Sequence, residues 1–440
     1  MSGTDPGAQA AFLDALGRLG PALLQSLDAL EHARRRLHPP ELPALREAMA
    51  PLRPRLETTL AEVARVDVPP GLEGLRSELV RSATSAARAL ELFVEPGSPR
   101  MSSTGGAGGS RKEASPGMSR TGSPVRAKTE ASPHMSRTGS PVRANTEASP
   151  HMSRTGSPVR ANTEASPHAA IARVLGAMHE HCRAQAALYP LRKALPPVSR
   201  FFLEAAFHPR LAELDPDVVP DGVRVGLHRA GEEGGRGGFC LYVPESYDGS
   251  EDWPLVVALH GGSGNGADFL WSWLAEARGR RFLLLSPTAR GSTWSLDAPE
   301  LDATALRSMV AYVADHWRVD ASCVLLTGLS DGATFSLLCG LRDDMPFTAL
   351  APVSGVLHPM NFANGNLARA AGRRIYLVHG ALDWMFPVQL ARMAHEELAR
   401  AGADVTFREI ADLSHTYPRE ENDRILAWLD PRLALSAAPC

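Results

Sequence analysis

From about residue 222 onward, short apolar runs alternate with segments that have helical spacing. The runs typical of buried strands are GFCLYVP, PLVVALHG, RFLLLSP, SCVLLTG, FTALAPVSG, RIYLVHG and DVTFREI. Helical spacing is found between or after them at about 269–278, 301–317, 332–341, 388–400 and 419–429. Buried strands interleaved with helices form βαβ units, so the pattern predicts an α/β fold with a mostly parallel central sheet. The functional crevice of such a sheet lies at the carboxyl ends of its strands.

The first 95 residues have a different pattern and are rich in Ala, Leu, Arg and Glu. Apolar residues recur at helical spacing over 12–30 and again over 72–93, and proline pairs at 39–40 and 69–70 interrupt the pattern. Recurrence every three or four residues is typical of amphipathic helices, and prolines end such helices. We therefore predict an α-helical region over residues 1–95.

A further helical stretch follows after a long interruption. Its stripe of apolar residues runs from Ile171 to Tyr189. Amphipathic helices need partners that cover their apolar stripes. We predict that helices over residues 169–210 complete a small N-terminal bundle, and that a catalytic domain over residues 215–435 follows it.

Residues 96–168, which separate the two helical stretches, contain a tandem repeat. The 17-residue unit EASPHMSRTGSPVRANT occurs twice, directly after the related EASPGMSRTGSPVRAKT. This low-complexity segment has few large apolar groups and repeated Gly-Ser-Pro steps, so we expect it to be disordered. The near-identity of the copies favours a neutral expansion inside a loop. A phosphorylatable or docking linker is the alternative, because each copy has Ser-Pro close to arginine.

The composition indicates neither a nucleic-acid-binding protein nor a membrane protein. The formal net charge is only −3, so no basic field favours nucleic acid. The five cysteines have no CxxC or zinc-like spacing, which favours buried free thiols. We find no signal-peptide pattern and no run of about 20 apolar residues, and therefore expect a soluble, cytoplasmic protein without a transmembrane segment.

The strand SCVLLTG continues into Gly328-Leu329-Ser330-Asp331-Gly332, and a helical pattern follows. This is a Gly-x-Ser-x-Gly motif in a strand, turn and helix context. Glycines flank the serine because the sharp turn leaves no room for side chains beside it, and the turn raises the hydroxyl above the sheet. The motif predicts Ser330 as a nucleophile.

An earlier strand ends in His260-Gly261-Gly262, where a backbone amide is able to approach a carbonyl oxygen under attack. Glycine permits that close approach. We predict an oxyanion hole formed by the backbone amides of Gly262 and Asp331, the residue that follows the nucleophile. His260 itself is interpreted as a structural residue that orients the loop.

A serine nucleophile of this type needs an acid and a base later in the chain, in the order Ser, Asp or Glu, His. Asp383 follows the strand RIYLVHG, and His415 lies in the loop after the last strand, DVTFREI. We predict that His415 takes the proton of Ser330 and that Asp383 holds the imidazole in the required tautomer. Among the rival residues, Asp412 is interpreted as a loop carboxylate and His379 as a tether of the Asp383 loop.

Taken together, the segments HGG, GLSDG, HGALDWMFPV and LSHTYP resemble the esterase branch of the α/β-hydrolase superfamily. That branch includes carboxylesterase/phospholipase-type enzymes, polyhydroxybutyrate-depolymerase-like proteins and feruloyl esterases. The resemblance covers about residues 222–432 and implies Ser330, Asp383 and His415 as nucleophile, acid and base. This chain departs from many relatives by having Asp331 after the serine, where an acidic side chain disfavours anionic substrates.

Several aromatic residues lie near the predicted site, in loops or at helix starts. We expect Trp294, Trp384 and Phe386 to contribute to an apolar acyl or aryl pocket, with packing in the core as the alternative for each. The later strands are separated by few residues, so the sequence predicts no large inserted lid. Trp271 and Trp273 are further candidates for the pocket.

These patterns predict hydrolysis of a small-molecule carboxylic ester through an acyl-enzyme intermediate, without a metal or organic cofactor. Two alternatives remain open. The same machinery cleaves peptide and thioester bonds, and a catalytically inactive hydrolase fold serves as a binding or scaffolding module. The sequence does not identify a protein partner for the N-terminal helical region.

Overall fold

Seven α-helices precede the central sheet in the part of the chain that the computed structural model describes, residues 6–95, 167–232 and 234–435. The segment 96–168, predicted to be disordered, lies outside these residues except for Pro167 and His168, which begin a helix. The helices are α1 (Pro6–Arg35), α2 (Leu42–Met49), α3 (Leu52–Arg65), α4 (Glu73–Val94), α5 (Pro167–Leu188), α6 (Pro196–Phe201) and α7 (Leu211–Leu214).

The predicted N-terminal helices are confirmed. In α1 the apolar stripe that includes Phe12, Leu19 and Leu27 is fully buried, as the spacing requires. No helix in the described ranges is both long enough and apolar enough to cross a membrane.

Eight strands form the central sheet: β1 (Gly226–Ala230), β2 (Phe239–Val243), β3 (Trp253–Leu259), β4 (Leu283–Pro287), β5 (Val319–Leu329), β6 (Ala349–Val353), β7 (Arg374–Gly380) and β8 (Asp404–Ile410). Their spatial order is β1-β2-β4-β3-β5-β6-β7-β8. The first two pairings, β1 with β2 and β2 with β4, are antiparallel. The remaining five pairings are parallel.

Helices connect the strands and cover both faces of the sheet. They are α8 (Gly266–Phe269), α9 (Leu274–Arg280), α10 (Glu300–His316), α11 (Asp331–Gly340), α12 (Met360–Ala363), α13 (Val388–Arg400) and α14 (Glu421–Leu429). Every residue of β3, β4 and β6 is buried, as expected for strands covered on both faces. The predicted mostly parallel α/β sheet is confirmed.

Two elements of this region were absent from the sequence-based prediction. Strand β1 is an edge strand whose last residues, Arg229 and Ala230, are exposed, so it has no buried apolar run. Helix α12 is only four residues long, too short to show helical periodicity. Neither element carries a predicted site residue.

The N-terminal helices and the sheet region share one hydrophobic core. Leu27 and Leu30 of α1 belong to the same buried cluster as Trp271 and Trp273, which lie between β3 and β4. A buried cation adds a polar connection. Arg278 of α9 is fully buried, and its guanidinium donates 2.8 Å hydrogen bonds to the carbonyl and hydroxyl oxygens of Ser199.

Candidate active site

Ser330 occupies the turn between β5 and α11 with φ of 57°, a left-handed value that is strained for a residue with a side chain. The flanking glycines make this turn possible. A Cβ atom on Gly328 would lie 2.7 Å from the backbone of Gly332, and one on Gly332 would lie 2.5 Å from the carbonyl oxygen of His260. Any larger residue at either position would therefore displace the turn that presents the Ser330 hydroxyl.

His415 lies in the loop between β8 and α14, with its ring directed at Ser330. Its Nε2 atom lies 2.9 Å from Ser330 Oγ, and its Nδ1 atom lies 2.8 Å from Asp383 Oδ2. An ionised carboxylate only accepts hydrogen bonds, so the proton of a neutral imidazole is on Nδ1. Nε2 is then free to accept a hydrogen bond from the serine hydroxyl.

Asp383 lies in the loop after β7, and its side chain is buried. Its second carboxylate oxygen accepts hydrogen bonds from the backbone amides of Met385 at 3.0 Å and Phe386 at 2.8 Å. Burial by itself would raise the pKa of Asp383. The hydrogen bonds from His415 and Phe386 and the charge of His415 outweigh burial, so the pKa lies below its ordinary value. Asp383 is therefore ionised at neutral pH.

The structure thus brings Ser330, His415 and Asp383 together from three loops at the carboxyl ends of β5, β8 and β7. The neighbouring acid Asp412 is not part of this chain of hydrogen bonds. It binds Arg35 of α1 through an ion pair of 3.2 Å. A hydroxyl hydrogen-bonded to a neutral imidazole, itself bonded to a buried carboxylate, is an arrangement able to activate the hydroxyl as a nucleophile.

The two amides predicted for an oxyanion hole lie beside Ser330. Asp331 is the first residue of α11, a position for whose N–H the helix provides no acceptor. Gly262 is close to Asp331, because a Cβ atom placed on Gly262 would lie 2.8 Å from Asp331 Oδ2. Among the hydrogen bonds of the described residues, none uses the Gly262 N–H. Neither N–H therefore has a partner among the hydrogen bonds of the described residues.

The Asp331 carboxylate is held in place by Thr293, a residue that the sequence analysis did not single out. The Thr293 hydroxyl donates a 2.5 Å hydrogen bond to Asp331 Oδ2. No cationic side chain of the described residues forms an ion pair with Asp331. The carboxylate therefore places an unpaired negative charge next to the candidate oxyanion hole.

His260 has the contacts of a residue that orients its loop. Its Nε2 atom accepts a 3.0 Å hydrogen bond from the amide of Ala289, so Nδ1 carries the proton and donates to the carbonyl oxygen of Gly261 at 2.6 Å. Burial lowers the pKa of His260 to about 4. The ring is therefore neutral at pH 7 and fixes the loop that ends in Gly262.

His379, at the end of β7, contacts the loop that contains Asp383. Its Nε2 atom donates a 2.8 Å hydrogen bond to the carbonyl oxygen of Phe386 and lies 3.4 Å from Asp383 Oδ2. Burial lowers the pKa of His379, so the ring is neutral at pH 7. These contacts fit the tethering role that the sequence analysis gave this residue.

The aromatic residues expected in a substrate pocket lie in two environments. Trp384 is 45% exposed, and the half-buried Phe386 packs edge-on against His415 with ring centroids 5.3 Å apart. Trp294 is 2% exposed and stacks on Phe335, and its indole N–H donates to the carbonyl oxygen of His260. The position of Trp294 therefore does not support its expected place in a pocket wall, because both its ring and its N–H are used in packing.

Trp271 and Trp273 are also buried. Trp273 is fully buried. Trp271 packs against Tyr189, with ring centroids 5.9 Å apart, on the N-terminal helical side of the shared core. Both residues therefore pack in the core, which was the alternative to a place in the substrate pocket. Within the described residues, no group of three or more His, Cys, Asp or Glu side chains is arranged to hold a metal ion.

Three features define an α/β-hydrolase fold: the sheet order, the serine turn between a strand and a helix, and the positions of the acid and the histidine after later strands. Residues 301–431 match the sequence model of the phospholipase/carboxylesterase family. This segment contains Ser330, Asp383 and His415. The match confirms the resemblance to the esterase branch of the superfamily.

Solved structures with similarity to this chain include several hydrolases. A thermostable esterase is 22% identical, with 47% of this chain and 62% of that chain covered and a TM-score of 0.40. An S-formylglutathione hydrolase from Staphylococcus aureus is 13% identical over 48% of this chain and 99% of its own, with a TM-score of 0.39. One from Agrobacterium tumefaciens is 18% identical over 47% and 95%, with a TM-score of 0.38. No curated protein matches the sequence.

The buried His260 should make the stability of the protein depend on pH. In the unfolded chain a histidine titrates near pH 6.5, whereas the pKa of His260 in the folded chain is about 4. The neutral ring makes its full contribution to the free energy of unfolding above about pH 6.5, and this contribution is lost as the pH falls toward 4. We expect His260→Gln to lose less stability than the wild type between pH 7 and pH 5, by about 2 kcal/mol.

Urea unfolding of both proteins at the two pH values measures this difference. His181, whose pKa burial also lowers to about 4, contributes equally to both proteins and cancels. Equal losses of unfolding free energy in the two proteins would show that His260 is not held neutral.

Proposed function

We propose that the protein is a serine esterase that hydrolyses carboxylic esters through an acyl-enzyme intermediate. The supporting observation is the chain of two hydrogen bonds through one imidazole, 2.9 Å from His415 to Ser330 and 2.8 Å from His415 to Asp383. The match of residues 301–431 to the phospholipase/carboxylesterase family supports the same reaction class.

In the first half of the proposed reaction, His415 Nε2 takes the hydroxyl proton as Ser330 Oγ attacks the ester carbonyl carbon. The imidazole becomes an imidazolium, and the ionised Asp383 stabilises its positive charge through the Nδ1–H hydrogen bond. The low pKa of Asp383 is suited to this role, because the carboxylate does not take the proton itself.

The attacked carbonyl oxygen becomes an oxyanion, for which the amides of Gly262 and Asp331 are the proposed donors. Collapse of the tetrahedral intermediate breaks the ester C–O bond, and His415 Nε2 returns its proton to the leaving alcohol. Water then attacks the acyl group on Ser330, again giving a proton to His415, and the acid leaves as the serine hydroxyl is restored.

The surface beside Asp383 is apolar and open, which favours ester substrates with hydrophobic groups. Leu382, Trp384 and Met385 are between 39% and 48% exposed and follow one another around the acid. Phe386, the next residue in the chain, packs edge-on against the ring of His415. We propose that Trp384 and Phe386 contact the acyl or aryl group of the substrate.

Replacement of Ser330 by alanine should abolish covalent chemistry without loss of the fold. We expect the wild type to react with a fluorophosphonate probe and to hydrolyse p-nitrophenyl esters. We expect Ser330→Ala to show no labelling and a decrease in kcat of at least about a thousandfold, because no other hydroxyl occupies that position. Gel fluorescence and release of p-nitrophenolate measure the two effects.

Ser336→Ala is a matched control in α11, the helix that begins directly after Ser330. The Ser336 hydroxyl is buried and donates to the carbonyl oxygen of Ala333, away from His415. This variant should keep both activities. A folded wild type that neither reacts with the probe nor hydrolyses esters would instead favour the binding-module alternative. Greater activity toward thioesters or peptides than toward esters would identify a different substrate bond but leave Ser330 as the nucleophile.

The charge of Asp331 should influence which esters react. An unpaired carboxylate near the reacting carbonyl repels a substrate carboxylate, by on the order of 1 kcal/mol at about 5 Å in a partly solvated site. We expect Asp331→Asn to increase kcat/KM for a p-nitrophenyl ester with an acyl-chain carboxylate roughly fivefold relative to its neutral isostere.

The neutral ester serves as the internal reference for this comparison, because any general damage to the site lowers both rates. High salt should reduce the wild-type discrimination against the anionic ester and leave the variant unaffected. A ratio of anionic to neutral rates that is the same in both proteins would exclude Asp331 as a selectivity determinant.

A further inference from the structure

The carboxyl-terminal end of α1 lies against the loop that contains His415. Thr416, the next residue after His415, is buried, and its hydroxyl donates a 2.9 Å hydrogen bond to the carbonyl oxygen of Arg34 in the last turn of α1. The last carbonyls of a helix lack the i+4 amide donors that the helix interior supplies. The Arg34 carbonyl accepts a 3.3 Å hydrogen bond from the amide of Leu37, and its second lone pair accepts the bond from Thr416.

A side chain of the same helix end binds the loop on both sides of His415. The guanidinium of Arg35 bonds to Asp412, before the histidine, at 3.2 Å and to Glu420, after it. Both acidic partners are exposed, the Asp412 side chain by 80% and the Glu420 side chain by 47%, so these ion pairs contribute little. The buried hydrogen bond of Thr416 is therefore the stronger connection.

The other side of the loop is attached to the acid loop. The amide of Leu382, next to Asp383, donates a 2.9 Å hydrogen bond to the carbonyl oxygen of Leu413. His415 therefore lies between an attachment at Leu413, from the sheet region, and one at Thr416, from the N-terminal helix. Tyr417 further fixes the exit of the loop by packing in the shared core.

We propose that Thr416 is a positioning residue through which the end of α1 holds the His415 imidazole in register with Ser330. This gives the N-terminal helical region a function in the reaction of the sheet region, and it rests on the proposed esterase function. Proton transfer to an imidazole requires hydrogen-bond distance, so a small displacement of the loop slows the reaction.

The test compares two substitutions of the same residue in the full chain. Thr416→Val keeps the shape of the side chain and removes the donor, whereas Thr416→Ser keeps the donor. We expect Thr416→Val to lower kcat for a p-nitrophenyl ester roughly tenfold with KM nearly unchanged, because the substrate contacts remain. The rate of fluorophosphonate labelling should fall by a similar factor, and Thr416→Ser should restore both.

Ser82→Ala is the matched control for loss of a buried hydrogen bond in the helical region. The Ser82 hydroxyl donates a 2.8 Å bond to the carbonyl oxygen of Ala184, between α4 and α5. This variant should be destabilised to a similar degree as Thr416→Val and keep the wild-type kcat. The proposal is overturned if Thr416→Val retains more than half of the wild-type kcat, or if Ser82→Ala loses as much activity.

Hydrogen exchange of the folded proteins gives a readout that does not depend on activity. We expect peptides covering residues 411–420 to exchange faster in Thr416→Val than in Thr416→Ser or the wild type, at a pH where all are folded. Faster exchange in a protein without any ester turnover would contradict the proposed function but not the attachment. Unchanged exchange would contradict the attachment itself.

Discussion

The proposed chemistry depends on one imidazole that is hydrogen-bonded at both nitrogens. His415 contacts Ser330 and Asp383 at the same time, and these two residues come from different strand ends. The arrangement requires that three loops stay aligned, because a hydrogen bond tolerates only a few tenths of an ångström. Parallel strands with fully buried residues supply the rigid base, and the Gly328 and Gly332 positions allow the strained turn at Ser330. The strain of that turn is compatible with folding because the buried sheet surrounds it.

The N-terminal helices contact the loops that hold this alignment, so they are more than a separate bundle that precedes the sheet in the chain. Their apolar residues share a core with Trp271 and Trp273, and Arg278 joins the two regions through buried hydrogen bonds. The end of α1 also contacts the loop on which the imidazole depends. Removal of the helices would therefore expose a large apolar surface and deprive Arg278 of its two hydrogen bonds to Ser199. The sheet region therefore depends on the helices through shared burial as well as through the contacts of Thr416 and Arg35.

The sequence indicated much of the fold and the positions of the candidate residues. Seven of the eight strands were visible in the sequence as short runs with apolar residues. Ser330, Asp383 and His415 each follow such a run, which places them at the carboxyl edge of a parallel sheet. The half-exposed edge strand β1 has no such run. The burial of Trp294 and the contact of Thr416 with Arg34 depend on which elements pack together, and the second contact joins residues 382 positions apart. Local patterns carry no information about contacts of that kind.

The most direct test of the central claim is detection of the acyl group on the serine. The 440-residue chain would be mixed with an activated ester whose acid is released slowly, quenched in acid within milliseconds to seconds, and analysed by intact mass and peptide mapping. The acyl-enzyme mechanism predicts a burst of alcohol release equal to the enzyme concentration, with the acyl mass on the peptide that contains Ser330. Turnover without any covalent acyl species, or an acyl group on another residue, would contradict it.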